Sequence, residues 1–164
     1  MFHGYGSNEE DLFSFAHELP EDLCIISVRA PFPLPPYGNA WYAINFDAAN
    51  GKWSDEEQAV IAREKIIKFI DEACSTYHLD ENRVTLLGFS QGTILSYAVA
   101  LSYPEKVRNV VALSGYINEN LLTKDYKNKD AVIIKLDKGN EFPVGHGVAP
   151  QNFYSFKKWL ENKI

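Results

Sequence analysis

The chain has 164 residues, a length that suits one domain, residues 1–164, around one core. Its composition is ordinary for a globular protein and excludes disordered and fibrous classes. A net charge of −6 with no Lys/Arg cluster excludes a nucleic acid partner and reads as a solvated acidic surface. The two cysteines, Cys24 and Cys74, sit in apolar surroundings, which fits small buried hydrophobes in a reducing compartment better than a disulfide scaffold. No stretch has the pattern of a signal peptide or a membrane span, so a cytoplasmic location is expected.

In chain order, Ser7-Asn8-Glu9-Glu10 reads as a capping box that opens a helix to about Leu19, before Pro20. Leu23 to Val28 is a short apolar run of the kind a buried parallel strand requires. Residues 29–53 are rich in Pro and aromatics and lack any period, and a loop that long inside a compact domain is usually functional. Ser54-Asp55-Glu56-Glu57 is a second capping box, followed by apolar residues near helical spacing as far as Tyr77. A strand over Arg83–Phe89, a helix over Gln91–Ser102 and a strand over Val107–Leu113 come next. A further strand is expected over Ala131–Leu136, and a terminal helix from about Pro150 that buries Phe153, Phe156, Trp159 and Leu160. Strands alternating with helices predict an α/β fold, a mostly parallel sheet with helices on both faces. The chemistry of such sheets gathers at the carboxyl ends of the strands.

Gly88-Phe89-Ser90-Gln91-Gly92 joins a strand directly to a helix. The turn is too sharp for side chains on its flanks, hence the two glycines, and it lifts the Ser90 hydroxyl above the sheet as a nucleophile. The helix behind it favours developing negative charge. His3-Gly4-Tyr5-Gly6 supplies an early loop whose Tyr5 N–H, with the N–H of Gln91, forms the expected oxyanion hole. On its own this segment reads better as a flexible N-terminus with a glycine turn. In Pro143-Val144-Gly145-His146-Gly147 a histidine lies between two glycines late in the chain, which fits a general base. His3, His17 and His78 are weaker candidates for that role. No His/Cys/Asp group has metal-ligand spacing, so neither a metal nor another cofactor is expected.

The chain resembles the bacterial carboxylesterase, phospholipase and acyl-protein thioesterase group of α/β-hydrolases. The resemblance rests on Phe2-His3-Gly4-Tyr5-Gly6, Arg29-Ala30-Pro31, Gly38-Asn39-Ala40-Trp41-Tyr42, Gly88-Phe89-Ser90-Gln91-Gly92, Val110 to Gly115 and Gly145-His146-Gly147-Val148, in the family's order. It implies hydrolysis of short- to medium-chain acyl esters or thioesters, a small-molecule substrate and no cofactor. It also implies that the 29–53 loop lines the acyl side of the site, with Trp41 either touching substrate or plugging the space under the loop.

Two departures from the family stand out. The family places a central strand immediately before His-Gly, whereas His3 is preceded here by only Met1 and Phe2. Thirty residues, 116 to 145, separate Gly115 from His146, room for one strand where the family has more. The fold is therefore expected to be incomplete relative to the family. Its open edge should be met by strand exchange, by a homodimer, or by Ala131–Leu136 recruited into the gap. The triad acid is assigned to Asp137, which directly follows the Ala131–Leu136 run, with Glu141 as runner-up. The rival reading is a degenerate hydrolase fold with little activity that acts as a binding module; a peptidase or lactone hydrolase is a second enzyme reading.

Overall fold

The structure is a computed structural model that describes residues 1–47, 51–123 and 133–136, together with 157, 158 and 161. Its centre is a parallel sheet of β5 (Thr85–Phe89), β6 (Asn109–Leu113) and β7 (Ile133–Leu136), in that order. Leu86 is level with Val110, and Val110 with Ile134. β6 is buried along its whole length, as a strand covered on both faces must be.

Two helices cover one face. α2 (Glu56–Tyr77) is capped by Asp55, whose carboxylate accepts from the Gln58 N–H at 2.9 Å. The expected box is thus shifted by one residue, because Ser54 ends the hairpin strand before it. Gln58 does not reach back to the cap but accepts from the Ala43 N–H at 3.0 Å, which ties the helix to the preceding loop. α3 (Gln91–Ser102) is buried from Gln91 to Leu101. A helix apolar all round must lie in the core, and α3 packs on both β5 and β6 and against α2. Leu86, Ile94, Leu95, Val99 and Val110 belong to the core on this side.

Among the described residues, the opposite face is covered by α1 (Glu10–Phe13) and a 3₁₀ turn over Ala16–Glu18. Leu12 and Leu19 pack there with Leu87, Val111 and Leu113. The expected helix to Leu19 is thus broken in two. Only Leu12 of α1 is buried, too little apolar contact to hold a longer helix. Asn8 rather than Ser7 satisfies the first turn, accepting from the Glu10 N–H at 2.8 Å.

The 29–53 loop contains two small antiparallel hairpins, β1 (Phe32–Pro33) with β2 (Asn39–Ala40) and β3 (Ile44–Asp47) with β4 (Gly51–Ser54).

The run over 23–28 is not a strand, which corrects the expectation from its apolar pattern. Only Val28 makes a bridge, in parallel with Phe2, and Phe2 in turn bridges Gly88. The Phe2 N–H donates to the Leu87 carbonyl at 2.8 Å, and the Phe89 N–H donates to the Phe2 carbonyl at 3.0 Å. On its other flank the Val28 N–H donates to the Met1 carbonyl at 3.1 Å. Below that single rung lies a cavity of about 460 Å³, between the 23–28 run and β5. Its walls include Ile25, Ile26, Leu86 and Leu87, with Ile70 and Cys74 of α2 at its side. A strand exists only where a neighbouring backbone takes its hydrogen bonds; among the described residues, the sheet-side partner of 23–27 is the Met1 amino group alone, which donates to the Ile26 carbonyl at 2.7 Å. β7 does not fill this space, which removes recruitment of Ala131–Leu136 from the three expected alternatives: it pairs with the far side of β6.

Both cysteines are free, Cys74 buried and Cys24 exposed. No described helix is long and apolar enough to cross a membrane.

Candidate active site

Ser90 sits between the end of β5 and the first residue of α3, with φ +52° and ψ −113°. A β-carbon disfavours that conformation, so a serine held there is locally strained. Close packing holds it. A side chain on Gly88 would bring its β-carbon within 2.5 Å of the Gly92 carbonyl, and one on Gly92 would lie 1.9 Å from the Phe2 carbonyl oxygen. Both glycines are therefore required by contact, as the motif implies. Behind the turn, the Thr93 hydroxyl lies 2.6 Å from the Gly88 carbonyl and 2.7 Å from that of Leu113, and accepts from the Leu113 N–H at 3.1 Å. The Ser90 N–H donates to the Leu113 carbonyl at 2.9 Å. These bonds lash the elbow to the carboxyl end of β6. Sequence reading missed Thr93, whose one signal was a hydroxyl inside an otherwise apolar helix.

The Gly4 loop lies against this elbow. A β-carbon on Gly4 would come within 2.9 Å of the Phe89 ring and 3.3 Å of the Ser90 β-carbon. The loop is pinned on both sides. After Tyr5, the Gly6 N–H donates to the Asn39 carbonyl at 2.9 Å and the Asn39 N–H donates to the Ser7 carbonyl at 2.7 Å. Gly38, at φ +83°, lets these backbones touch, since a β-carbon there would lie 2.0 Å from the Gly6 oxygen. Before Tyr5, the buried His3 ring does the pinning. Its Nε2 accepts from the Ala30 N–H at 3.0 Å, so Nδ1 carries the proton and donates to the Gly4 carbonyl at 2.8 Å. Burial pulls the His3 imidazole below its ordinary pKa and keeps it neutral, in line with that geometry. The Gly4 carbonyl and the Tyr5 N–H share one peptide plane. His3 therefore sets the direction of the Tyr5 N–H. It is a structural histidine rather than a general base.

The Gln91 N–H is the first of α3 and has no carbonyl one turn earlier in the helix to receive it. The Gln91 side chain is buried and reaches across to the 41–42 backbone. Its Oε1 accepts from the Trp41 N–H at 3.1 Å and its Nε2 donates to the Tyr42 carbonyl at 2.9 Å. Trp41 is only 3% exposed. Its ring meets Phe2 edge-on at 5.4 Å and lies 5.6 Å from the His3 ring.

The structure thus brings together Ser90, Gln91, Trp41 and the loop carrying Tyr5. His146, Asp137 and the runner-up Glu141 lie outside the described residues, as do the apolar residues expected on the terminal helix. Among the described residues no cluster of His, Cys, Asp or Glu could hold a metal ion.

Comparison with known proteins bears on the fold and the family. A putative hydrolase, MhqD of Bacillus subtilis (strain 168), is 25% identical over 114 residues, 68% of this chain and 53% of that protein. The chain thus spans about half the length of that relative. Acyl-protein thioesterase 1 of Kluyveromyces lactis is 28% identical over 163 residues, 93% of this chain and 68% of the relative. Among solved structures, the Bacillus cereus carboxylesterase superposes with a TM-score of 0.74 at 17% identity, covering 99% of this chain and 86% of that one. YahD, solved with malic acid, gives 0.75 at 15% identity, covering 99% and 91%. At that identity the structures speak to the fold alone, which is that of the α/β-hydrolases. The sequence profile of the phospholipase/carboxylesterase family matches residues 1–159, and the chain belongs to that family.

Proposed function

We propose that the chain is a serine hydrolase of acyl esters or thioesters that works through an acyl-enzyme. The observation that carries this reading is Ser90, held at φ +52° on the β5–α3 elbow with the Gly4 loop packed against it. His146 takes the Ser90 proton as the hydroxyl oxygen attacks the acyl carbonyl. The Tyr5 and Gln91 amides receive the oxyanion. His146 then protonates the leaving alcohol or thiol, and water releases the acyl group by the same route. Asp137 orients His146 and stabilises its cation. The thioesterase and carboxylesterase names among the similar proteins support the substrate class.

The competing reading, a hydrolase fold retained for binding with little activity, draws support from the cavity beside β5. One experiment separates the two. The protein is treated with a fluorophosphonate probe, the labelled peptide is mapped, and turnover of p-nitrophenyl butyrate is measured for wild type and Ser90→Ala. Labelling of Ser90 alone, with turnover lost in the folded alanine variant, is the expected result. Absence of both labelling and turnover in the folded wild type would favour the binding module. Labelling at another serine would remove Ser90 from the mechanism.

A further inference from the structure

Trp41 holds both segments of the proposed oxyanion hole at once. Its backbone N–H donates to the Gln91 Oε1 at 3.1 Å, and its indole Nε1–H donates to the His3 carbonyl at 2.9 Å. Gln91 is fifty residues away in the chain and His3 thirty-eight. We infer that Trp41 is a positioning residue, one that sets the two oxyanion donors relative to each other instead of lining the acyl pocket. The inference rests on the esterase reading above.

The physical argument runs through peptide planes. The indole bond fixes the His3 carbonyl, and so the plane of the His3–Gly4 peptide. The His3 ring then fixes the next plane through the Gly4 carbonyl, and that plane carries the Tyr5 N–H. On the other side, the Gln91 side chain grips the Trp41 N–H and the Tyr42 carbonyl together. This two-point grip orients the residue whose own N–H is the second donor. The indole is nearly fully buried, so little of its surface is available to an acyl chain. Donors that must meet an oxyanion at about 2.7–3.1 Å lose effect when either peptide rotates.

Trp41→Phe keeps a ring against Phe2 and deletes the indole N–H together with the volume of the second ring. Enzyme concentration is set by fluorophosphonate titration, so that only competent molecules are counted. A displaced donor should cost less than a deleted one, for which 10²–10³ is typical, so kcat should fall about tenfold. KM, and the preference among acetyl, butyryl and octanoyl esters, should stay within about twofold. Affinity for a boronic acid, which mimics the tetrahedral intermediate, should fall in step with kcat. A tryptophan that lined the acyl pocket would give the opposite pattern: raised KM, a changed chain-length preference and unaltered kcat. A tryptophan that only filled space would leave all three unchanged. Either result overturns the inference.

If Trp41→Phe does not fold, Gln91→Met, which removes both side-chain bonds and keeps the Gln91 N–H, is held to the same criteria. Amide resonances of Tyr5 and Gln91 provide a readout that needs no turnover. Both should shift in Trp41→Phe, and if neither moves the coupling is absent. Failure of the wild type to hydrolyse any ester would instead overturn the esterase reading, with the amide shifts still deciding whether Trp41 couples the two segments.

Discussion

Thr93→Val offers a direct test of how the nucleophile elbow is held. The Thr93 side chain is fully buried, and its hydroxyl serves three backbone groups: the carbonyls of Gly88 and Leu113 and the N–H of Leu113. Valine has the same shape and none of these bonds. The single hydroxyl proton is shared between two carbonyls, so the substitution removes one donated and one accepted hydrogen bond. Each contributes about 1 kcal/mol net, and the Leu113 N–H keeps its place in the parallel ladder with β5, for a loss of about 2 kcal/mol. In a domain of this size 1 kcal/mol moves Tm by about 2–4 °C, so Tm should fall by about 4–8 °C. Thermal unfolding followed by circular dichroism, checked against urea midpoints, reads this directly. Thr93→Ser keeps the hydroxyl and deletes one buried methyl, and should fall between wild type and the valine variant. A valine variant as stable as wild type, or a serine variant less stable than the valine one, would refute the reasoning that these bonds hold the elbow.

Gly92→Ala should lower stability by about 3 kcal/mol, the upper end for overpacking, because its β-carbon would press the Phe2 carbonyl from 1.9 Å and open the Phe2–Phe89 bond; urea unfolding midpoints would show this. His3 should give a pH signature. Its folded pKa lies below the ordinary 6.5, so the folded state binds fewer protons there than the unfolded one. The stability it contributes is complete above 6.5 and is lost as pH falls from there through the lowered folded value. The difference in unfolding free energy between wild type and His3→Gln should therefore shrink from pH 7 to pH 5, and a constant difference would count against a buried neutral imidazole. The Glu9–Arg29 pair does not confound this window. The Arg29 guanidinium holds the Glu9 carboxyl at about 2, so its effect is lost only as pH falls from 4.5 toward 2.

What the sequence by itself determined lies where structure is local. The helix over Gln91–Ser102 was expected with those bounds, and the strand before it to within two residues, because an apolar run, two glycines and a Ser turn act within a dozen residues. The start of α2 was legible for the same reason, since a cap and its recipient N–H lie three residues apart. Periodicity failed over 23–28. The apolar pattern there is that of a buried strand, but pairing needs a second backbone, and among the described residues only the Met1–Phe2 rung lies beside it. The 29–53 loop hid two hairpins because strands of two and four residues are too short to show a period. The positions of His3, Trp41 and the Gln91 side chain were decided by tertiary structure alone. Each is fixed by bonds to residues twenty-seven to fifty positions away, and a sequence pattern carries no record of which backbone a buried polar side chain will find.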